Sequence, residues 1–470
     1  MGPIWPVVTI EPLGGQPTPG SKPSVPDLDE QVAYHRAFEA VLWAMPATAI
    51  YRLRVGITGQ PGMADNVIAS YSGNLLSHAE VITGNTVTPY VAAASDLRNG
   101  PVVLEVPPKG DKASIYGQIV DAWQLTLADV GPAGIDKGAG GKYLLLPPGH
   151  AEPIPDGYIA LPSRTYRVLF AFRSVAAPGA TDADAYAYTK MLKMYPLSEA
   201  ASPKPTRFVD GRSHPLHTLP FYDIRALEGI RELIDVEPVQ PQDKVMVGLL
   251  ATIGIERGKP FNPQGKMKAA MERGVKDAYF YMQQLDTQLF ASSLYWPDRH
   301  WSFVMVPDEK KGFEFVTEDA VQVDRRAAAW FFFTFYPKVM MPGRLGTVYL
   351  APTADRTGEP LEPGRNYRLR VPKDVPARQF WSLTLYDNAT WAFIRNPLNR
   401  NGLGSLDRDA LKVNADGSVD LFFGPDAPAG FESNWLPTMG KKPYLWFRLY
   451  APAEPFWDRS FVMPDVERVG

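Results

Sequence analysis

Cysteine is absent from the 470 residues. That removes disulfides, thiolate-bound metals, iron–sulfur clusters and a cysteine nucleophile together. Histidine is scarce, six in all, so nitrogen ligands for a metal are few. No stretch reaches the roughly 18 consecutive apolar residues of a membrane-spanning helix; the longest candidate, Ala40 to Tyr51, is short and holds Pro46. A dominant charge is also missing. Lys and Arg number 48 against 51 Asp and Glu, a net charge of −3, whereas a nucleic-acid surface needs a basic stripe.

Familiar catalytic signatures are missing too. There is no Gly-x-Ser-x-Gly elbow and no His-Glu-x-x-His zinc helix. Gly138-Ala-Gly-Gly-Lys142 has Asp136 where a phosphate loop needs its first glycine, so it reads as a turn. Asn414-Ala-Asp-Gly417 would place Lys412 and Phe423 where a calcium loop needs carboxylates. It reads instead as the turn of a hairpin spanning Leu411 to Phe423. His214-Pro-Leu-His217, near Asp210 and Asp223, offers nitrogen and oxygen ligands, but Pro215 breaks the spacing and a solvated loop is the simpler reading. No metal and no cofactor is indicated.

The chain is 45% hydrophobic, enough for sizeable cores, and glycine and proline together stay below one fifth. Residues 1–27 hold seven prolines and read as an extended arm, with Trp5 a docking point. From Asp29 a helical pattern runs until Pro46 interrupts it. Short strands such as Pro101–Val106 and Tyr166–Phe172 follow, so residues 28–210 are expected to form a β-sandwich with a leading helix. Residues 211–290 turn helical. Ile224, Leu227, Ile230 and Ile234 share one face; a second helix, capped by Asn262 and opened by Pro263, buries a stripe from Met267 through Met271, Val275, Ala278, Met282 and Leu285 to Leu289. Strands return over residues 291–470, where the alternation predicts a jelly roll. The predicted class is therefore mainly β, two sandwiches around a helical middle.

A family resemblance rests on long runs: Thr83-Gly-Asn-Thr-Val-Thr-Pro-Tyr90, Asp96–Pro107, Asp121-Ala-Trp, Asp136–Pro148, Val236-Glu-Pro238, Ile253–Phe261, Phe380–Asp387, Asn414–Asp420, Asn434-Trp-Leu-Pro437 and Phe447–Pro452. In these the chain resembles the bacterial proteins that pair domain of unknown function 1254 with domain of unknown function 1214. The resemblance implies an immunoglobulin-like sandwich, a helical section and a C-terminal jelly roll, and it implies no settled activity. Members often carry a secretion signal, which points to a periplasmic or secreted location. The N-terminus here, MGPIWPVVTIEP, lacks a signal's basic and apolar regions, so either the signal is absent from this chain or the chain is cytoplasmic. Where a common variant reads Pro-Asn-x-Asp-Thr, Pro89 is followed by Tyr90-Val-Ala-Ala, and no acidic role carries over to that place.

Two groups of residues are candidates for chemistry. On one strand Tyr444, Trp446, Arg448 and Tyr450 alternate with Leu445, Phe447 and Leu449; on another, Ser382, Thr384 and Tyr386 alternate with Trp381, Leu383 and Leu385. If the polar faces line one concavity, they aim hydroxyls, phenols and a guanidinium at a ligand. Arg448 would bind an anionic or polar group, Tyr450 would carry a proton and Tyr386 would stabilise an oxyanion, with Ser382 beside them. Asn434 and Trp435 would close over the ligand from a loop. The competing reading pairs Arg448 with a buried carboxylate and leaves the tyrosines facing solvent.

The second group, Asn85, Thr88, Tyr90, Asp121, Asp129 and Lys142, comes from separate turns; Asn85, Tyr90 and Asp121 are candidates for substrate contact, and local turn chemistry is the alternative. The expected function is an envelope enzyme acting by hydrolysis or elimination on a small organic or carbohydrate-like substrate. A binding or structural module for a carbohydrate or surface partner is the rival. Eleven tryptophans and aromatic strand faces suggest a homo-oligomer as a further expectation.

Overall fold

A computed structural model describes residues 20–304, 314–336, 347–407 and 409–470. Most of the arm expected over residues 1–27, with Trp5, lies outside the described residues.

The first ten strands are β1 (Ile68–Ser70), β2 (Tyr90–Asp96), β3 (Val102–Val106), β4 (Ala113–Asp121), β5 (Thr126–Val130), β6 (Gly141–Leu146), β7 (Tyr158–Pro162), β8 (Arg167–Ala176), β9 (Lys193–Pro196) and β10 (Phe208–Val209). They form a six-stranded sheet, β10-β1-β2-β8-β4-β5, and a four-stranded sheet, β7-β6-β3-β9. The two sheets close on one core, in which Val91, Ala93, Ile115, Ile119, Val168, Phe170 and Phe172 meet Val102, Leu104, Tyr143 and Leu145. This is the expected N-terminal sandwich. Period-two alternation sends the intervening residues of the larger sheet the other way. Tyr90, Tyr116, Gln118, Ala171 and Arg173 therefore leave the sandwich core.

The C-terminal strands are β11 (Trp301–Phe303), β12 (Thr347–Pro352), β13 (Asn366–Val371), β14 (Trp381–Asp387), β15 (Gly402–Gly404), β16 (Val419–Gly424), β17 (Trp435–Pro437), β18 (Pro443–Tyr450) and β19 (Glu467–Val469). They make a five-stranded sheet, β11-β12-β18-β14-β15, over a four-stranded sheet, β17-β16-β13-β19. Leu383, Leu385, Leu445, Phe447 and Leu449 fill the core between them together with Tyr367, Leu369, Leu421 and Phe423. The turn at Asn414–Gly417 forms, with Gly417 at φ +84° and its N–H donating to the Asn414 carbonyl. Its expected hairpin does not. Residues 411–413 form no strand, because β16 already pairs with β13 on one side and β17 on the other.

The helices are α1 (Leu28–Thr58), α2 (Asp182–Thr189), α3 (Ile224–Val236), α4 (Lys244–Ala251), α5 (Gly265–Ala291), α6 (Val323–Phe332) and the short α7 (Glu454–Trp457). Residues of α1, α3, α5 and α6 join the outer faces of both larger sheets in a third core, which includes Ala92, Tyr386 and Trp446. Thus the polar and aromatic strand faces turn toward the molecule's centre. The aromatic face that suggested self-association is covered within the chain itself, with Tyr386 0% and Trp446 1% exposed.

Two sequence expectations about helices are corrected here. Pro46 does not interrupt α1, which runs through it. A mid-helix proline leaves carbonyls without their usual partners; near it, Arg326 donates to the Trp43 carbonyl at 2.8 Å and Gln124 to the Pro46 carbonyl at 2.8 Å. α5 begins at Gly265 with Gln264 at its cap rather than Asn262. Its stripe holds through Met271, Val275, Ala278 and Met282, then drifts, so that Asp286 and Phe290 are buried and Leu285 and Leu289 only half-buried.

Candidate functional site

Each of the two larger sheets carries one arginine at the centre of a cross-strand row. On the N-terminal sheet Arg173 of β8 lies opposite Tyr90 on one neighbour and Tyr116 on the other. On the C-terminal sheet Arg448 of β18 lies opposite Tyr349 and Ser382. The two rows meet: Arg173 donates to the hydroxyls of Tyr116 and, across the sheets, Tyr450, both at 3.3 Å.

Arg448 is 1% exposed. Its Nη1 donates to Thr384 Oγ1 at 2.6 Å, and its Nη2 to the Tyr386 hydroxyl at 2.5 Å and the Thr83 carbonyl at 3.2 Å, while Nε is buried without a partner. All of these acceptors are neutral. Among the described residues neither Arg173 nor Arg448 forms an ion pair with a carboxylate; the titratable groups that act on them are tyrosines. Burying a guanidinium costs several kcal/mol unless a counter-charge meets it.

The two arginines border a cavity of about 460 Å³. Its polar lining includes Tyr90, Tyr116, Gln118, Asp129, Tyr349 and Thr83. The rest is apolar, with Leu53 and Ile57 of α1, Val81, Ile82, Phe303, Phe333 and Phe335 among the walls. Space exists because β2 and β8 place Ala92 opposite Ala171 in the row beside Tyr90 and Arg173. Gly117 permits the close approach of β4 to β8, since a Cβ there would lie 2.3 Å from the Ala171 carbonyl oxygen.

The loop Thr83-Gly84-Asn85 ties the two halves together. Thr83 and Gly84 offer carbonyls to the C-terminal sheet, the latter accepting from the Tyr386 hydroxyl at 2.5 Å. Asn85 holds its own turn, its Oδ1 accepting from the N–H groups of Val87 and Thr88, both at 2.9 Å. Its backbone N–H donates to the Tyr90 hydroxyl at 3.1 Å. Burial raises the Tyr90 phenol, but Arg173, the Asn85 hydrogen bonds and Arg448 outweigh it and hold the phenol below its ordinary value. Its neighbours go the other way. Burial pushes Tyr116, Tyr386 and Tyr450 up in spite of the same arginines.

The predicted site residues therefore divide. Arg448, Tyr386, Tyr450, Ser382, Asn85 and Tyr90 come together from both halves of the chain. Arg448 and Tyr90 line the cavity; Tyr386 and Tyr450 stand behind, bonded to the arginines. Ser382 is fully buried beside Arg448, its Oγ without a partner. Asn434 and Trp435 lie on the other sheet of the C-terminal sandwich, with that sandwich's core between them and Arg448. Asn434 bonds the backbone of Lys412 and Asp420, and Trp435 donates to the Gly424 carbonyl at 3.1 Å. Asp121 is also apart, accepting from the N–H groups of Trp123 and Leu125 in the β4–β5 turn and lying 3.6 Å from Arg164 Nε. Lys142 faces Glu105 at 3.9 Å, and Asp129 lines the cavity while accepting from Gln118 at 3.2 Å. Among the described residues no group of three histidine or carboxylate ligands converges on a metal position; His217 instead contacts Glu80 at 2.6 Å. No described helix is long and apolar enough to cross a membrane.

Arg173, Tyr116 and Tyr349 were missed by the sequence reading. The signal was present: Arg173 follows Leu169 and Ala171 at period two, a charge continuing an apolar face.

Residues 66–196 match the family described as protein of unknown function DUF1254, and residues 346–454 match protein of unknown function DUF1214. The chain belongs to the family that pairs these two domains. The residues bordering the cavity come from both matched regions: Tyr90, Tyr116 and Arg173 from the first, Tyr349 and Arg448 from the second. A search of curated proteins gives no match. Among solved structures, the VPA0106 protein from Vibrio parahaemolyticus is similar over 93% of this chain and all of its own, at 18% identity and a TM-score of 0.54, a likeness of fold. An uncharacterised protein from Burkholderia cenocepacia aligns over 94% of this chain and 96% of its own, at 12% identity and a TM-score of 0.39.

Proposed function

We propose that the cavity between the two sandwiches is the active site of an enzyme that acts on a small organic acid. The observation that carries this reading is the pair of guanidiniums, Arg173 and Arg448, facing one cavity with no ion-pair partner among the described residues; Asp129 on the same lining accepts from Gln118. An anionic substrate supplies the missing charge through charge-assisted hydrogen bonds. Tyr90 takes the proton-transfer role first expected of Tyr450, because its phenol lines the cavity and is the one held below its ordinary value.

Of hydrolysis and elimination, elimination asks for what the cavity holds. With the carboxylate on the arginines, Tyr90 as phenolate takes the α-proton, and the C–H electron pair becomes the α,β double bond. The bond to the β-substituent breaks with its own electron pair. Tyr116, whose phenol burial keeps protonated, gives that group its proton. An envelope location remains part of the reading, on the strength of the family resemblance.

The test is a panel of β-substituted carboxylic acids monitored for the ultraviolet absorbance of the unsaturated product. Turnover in the wild type that disappears in Tyr90→Phe and Arg173→Met supports the enzyme. Saturable binding without product across the panel favours the non-catalytic module.

A further inference from the structure

We infer that the acid taken by this cavity has an apolar body, so that the substrate class is amphipathic carboxylic acids rather than sugar acids. The inference rests on the anion-binding reading above and extends it to the part of the ligand the arginines do not touch. On the larger N-terminal sheet the cavity face is graded along the strands. The Tyr90–Arg173–Tyr116 row is followed two residues on by Ala92, Ala171 and Gln118, and then by Ala94, Leu169 and Val120. That last row packs with Ile50, Leu53 and Phe335 in a small apolar cluster. A ligand whose head rests on Arg173 and Arg448 thus has its body over an alanine floor, directed toward aliphatic and aromatic walls.

Those walls offer a sugar little. Beyond the arginine rows the polar lining includes Gln118 and Asp129, which bond each other at 3.2 Å at one end of the floor; Leu53, Ile57, Val81, Ile82, Phe303 and Phe335 supply no side-chain donor or acceptor, and each hydroxyl buried against them would go unmatched. The size also fits an extended body. A cavity of roughly 150 Å³ holds benzene, and this one, at about 460 Å³, has room for a headgroup with a chain or a pair of rings. Ala92 and Ala171 are then specificity-determining positions, because their small side chains leave the floor open.

Calorimetric titration with straight-chain acids from butanoate to dodecanoate, alongside glucuronate, octyl phosphate and octanesulfonate, tests this. These probes carry no β-leaving group, so binding is read without turnover. Affinity is expected to rise by up to about fourfold per added methylene and then to level off once the cavity is full. Ala171→Leu, and Ala92→Val as a milder second variant, are expected to bring that limit forward by about two or three carbons, weakening octanoate more than butanoate. A flat series, tighter binding of glucuronate than of octanoate, or a series unaltered in both variants would overturn the apolar class while leaving the arginine site standing. If no carboxylate, phosphate ester or sulfonate binds at all, the arginine reading itself fails and this inference with it.

Discussion

Replacing each arginine by methionine should separate the two, although both face one cavity. Methionine keeps a flexible unbranched side chain and removes the charge. At Arg173 the loss is two hydrogen bonds of 3.3 Å to the phenols of Tyr116 and Tyr450. At that length they belong near the low end of charged hydrogen bonds, about 1.5 kcal/mol each. Against this stands the relief of an enclosed guanidinium without a counter-charge, itself a matter of several kcal/mol. The terms nearly cancel, so Arg173→Met should change the unliganded protein's stability by less than about 2 kcal/mol, the larger of the two terms setting the sign.

Arg448→Met is different, because Arg448 donates to Thr384, Tyr386 and the Thr83 carbonyl. Those bonds join the halves of the molecule, and at about 2–3 kcal/mol each their loss outweighs the same relief of several kcal/mol from removing an enclosed guanidinium, so the variant should lose about 3–6 kcal/mol. Urea unfolding followed by tryptophan fluorescence measures both. Adding octanoate at about 100 times the wild-type dissociation constant should then stabilise the wild type by about 2.7 kcal/mol and Arg173→Met by no more than about 0.9 kcal/mol. An Arg173→Met variant as destabilised as Arg448→Met would refute the reasoning, since it would make Arg173 a structural residue.

Other consequences concern single groups. Glu237 is buried beneath the N–H groups of Tyr166 and Arg167, at 2.6 and 3.2 Å, and burial pushes its carboxyl up to about 7. Its folded value thus exceeds its unfolded one, the native state holds the extra proton, and stability should fall as pH rises from about 4.5 to about 7, by on the order of 3 kcal/mol, then stay flat. Denaturation midpoints across that window should lose this slope in Glu237→Gln. If Tyr90 is the base, the pH–rate profile for an eliminated substrate should have an acidic limb set by its lowered phenol, and Tyr90→Phe should abolish turnover while binding of an unreactive acid survives. Phe447→Ala, which empties a fully buried position in the C-terminal core, should cost about 3–5 kcal/mol in denaturant unfolding.

Much of the site's make-up was legible as alternation. The sorting of Arg448 and Tyr450 from Phe447 and Leu449, and of Ser382 and Tyr386 from Leu383, follows from period two. What alternation cannot supply is the opposing surface. Both sandwiches have an outer face, and only the tertiary packing puts Arg173 and Tyr90 across from Arg448 and Tyr349. The run Thr83–Tyr90 was quoted as a motif without its task, because that task, hydrogen-bonding Arg448 and Tyr386, joins residues about three hundred positions apart. Asn434 and Trp435 looked like a closing loop for the same reason in reverse; their partners at Lys412, Asp420 and Gly424 pin the far sheet instead. α6 went unread because its end, Trp330-Phe331-Phe332, is an aromatic run that in isolation favours a strand, and tertiary packing overrides it.

The most direct measurement of the central claim is calorimetric titration of organic anions into the wild type and Arg173→Met at constant ionic strength. The two arginines, without an ion-pair partner among the described residues, predict saturable one-to-one binding of a carboxylate by the wild type, weakened about thirtyfold or more in the variant, as expected when one partner of an enclosed charge pair is removed. Equal affinity in both proteins, or no binding of any anion to the wild type, would contradict it.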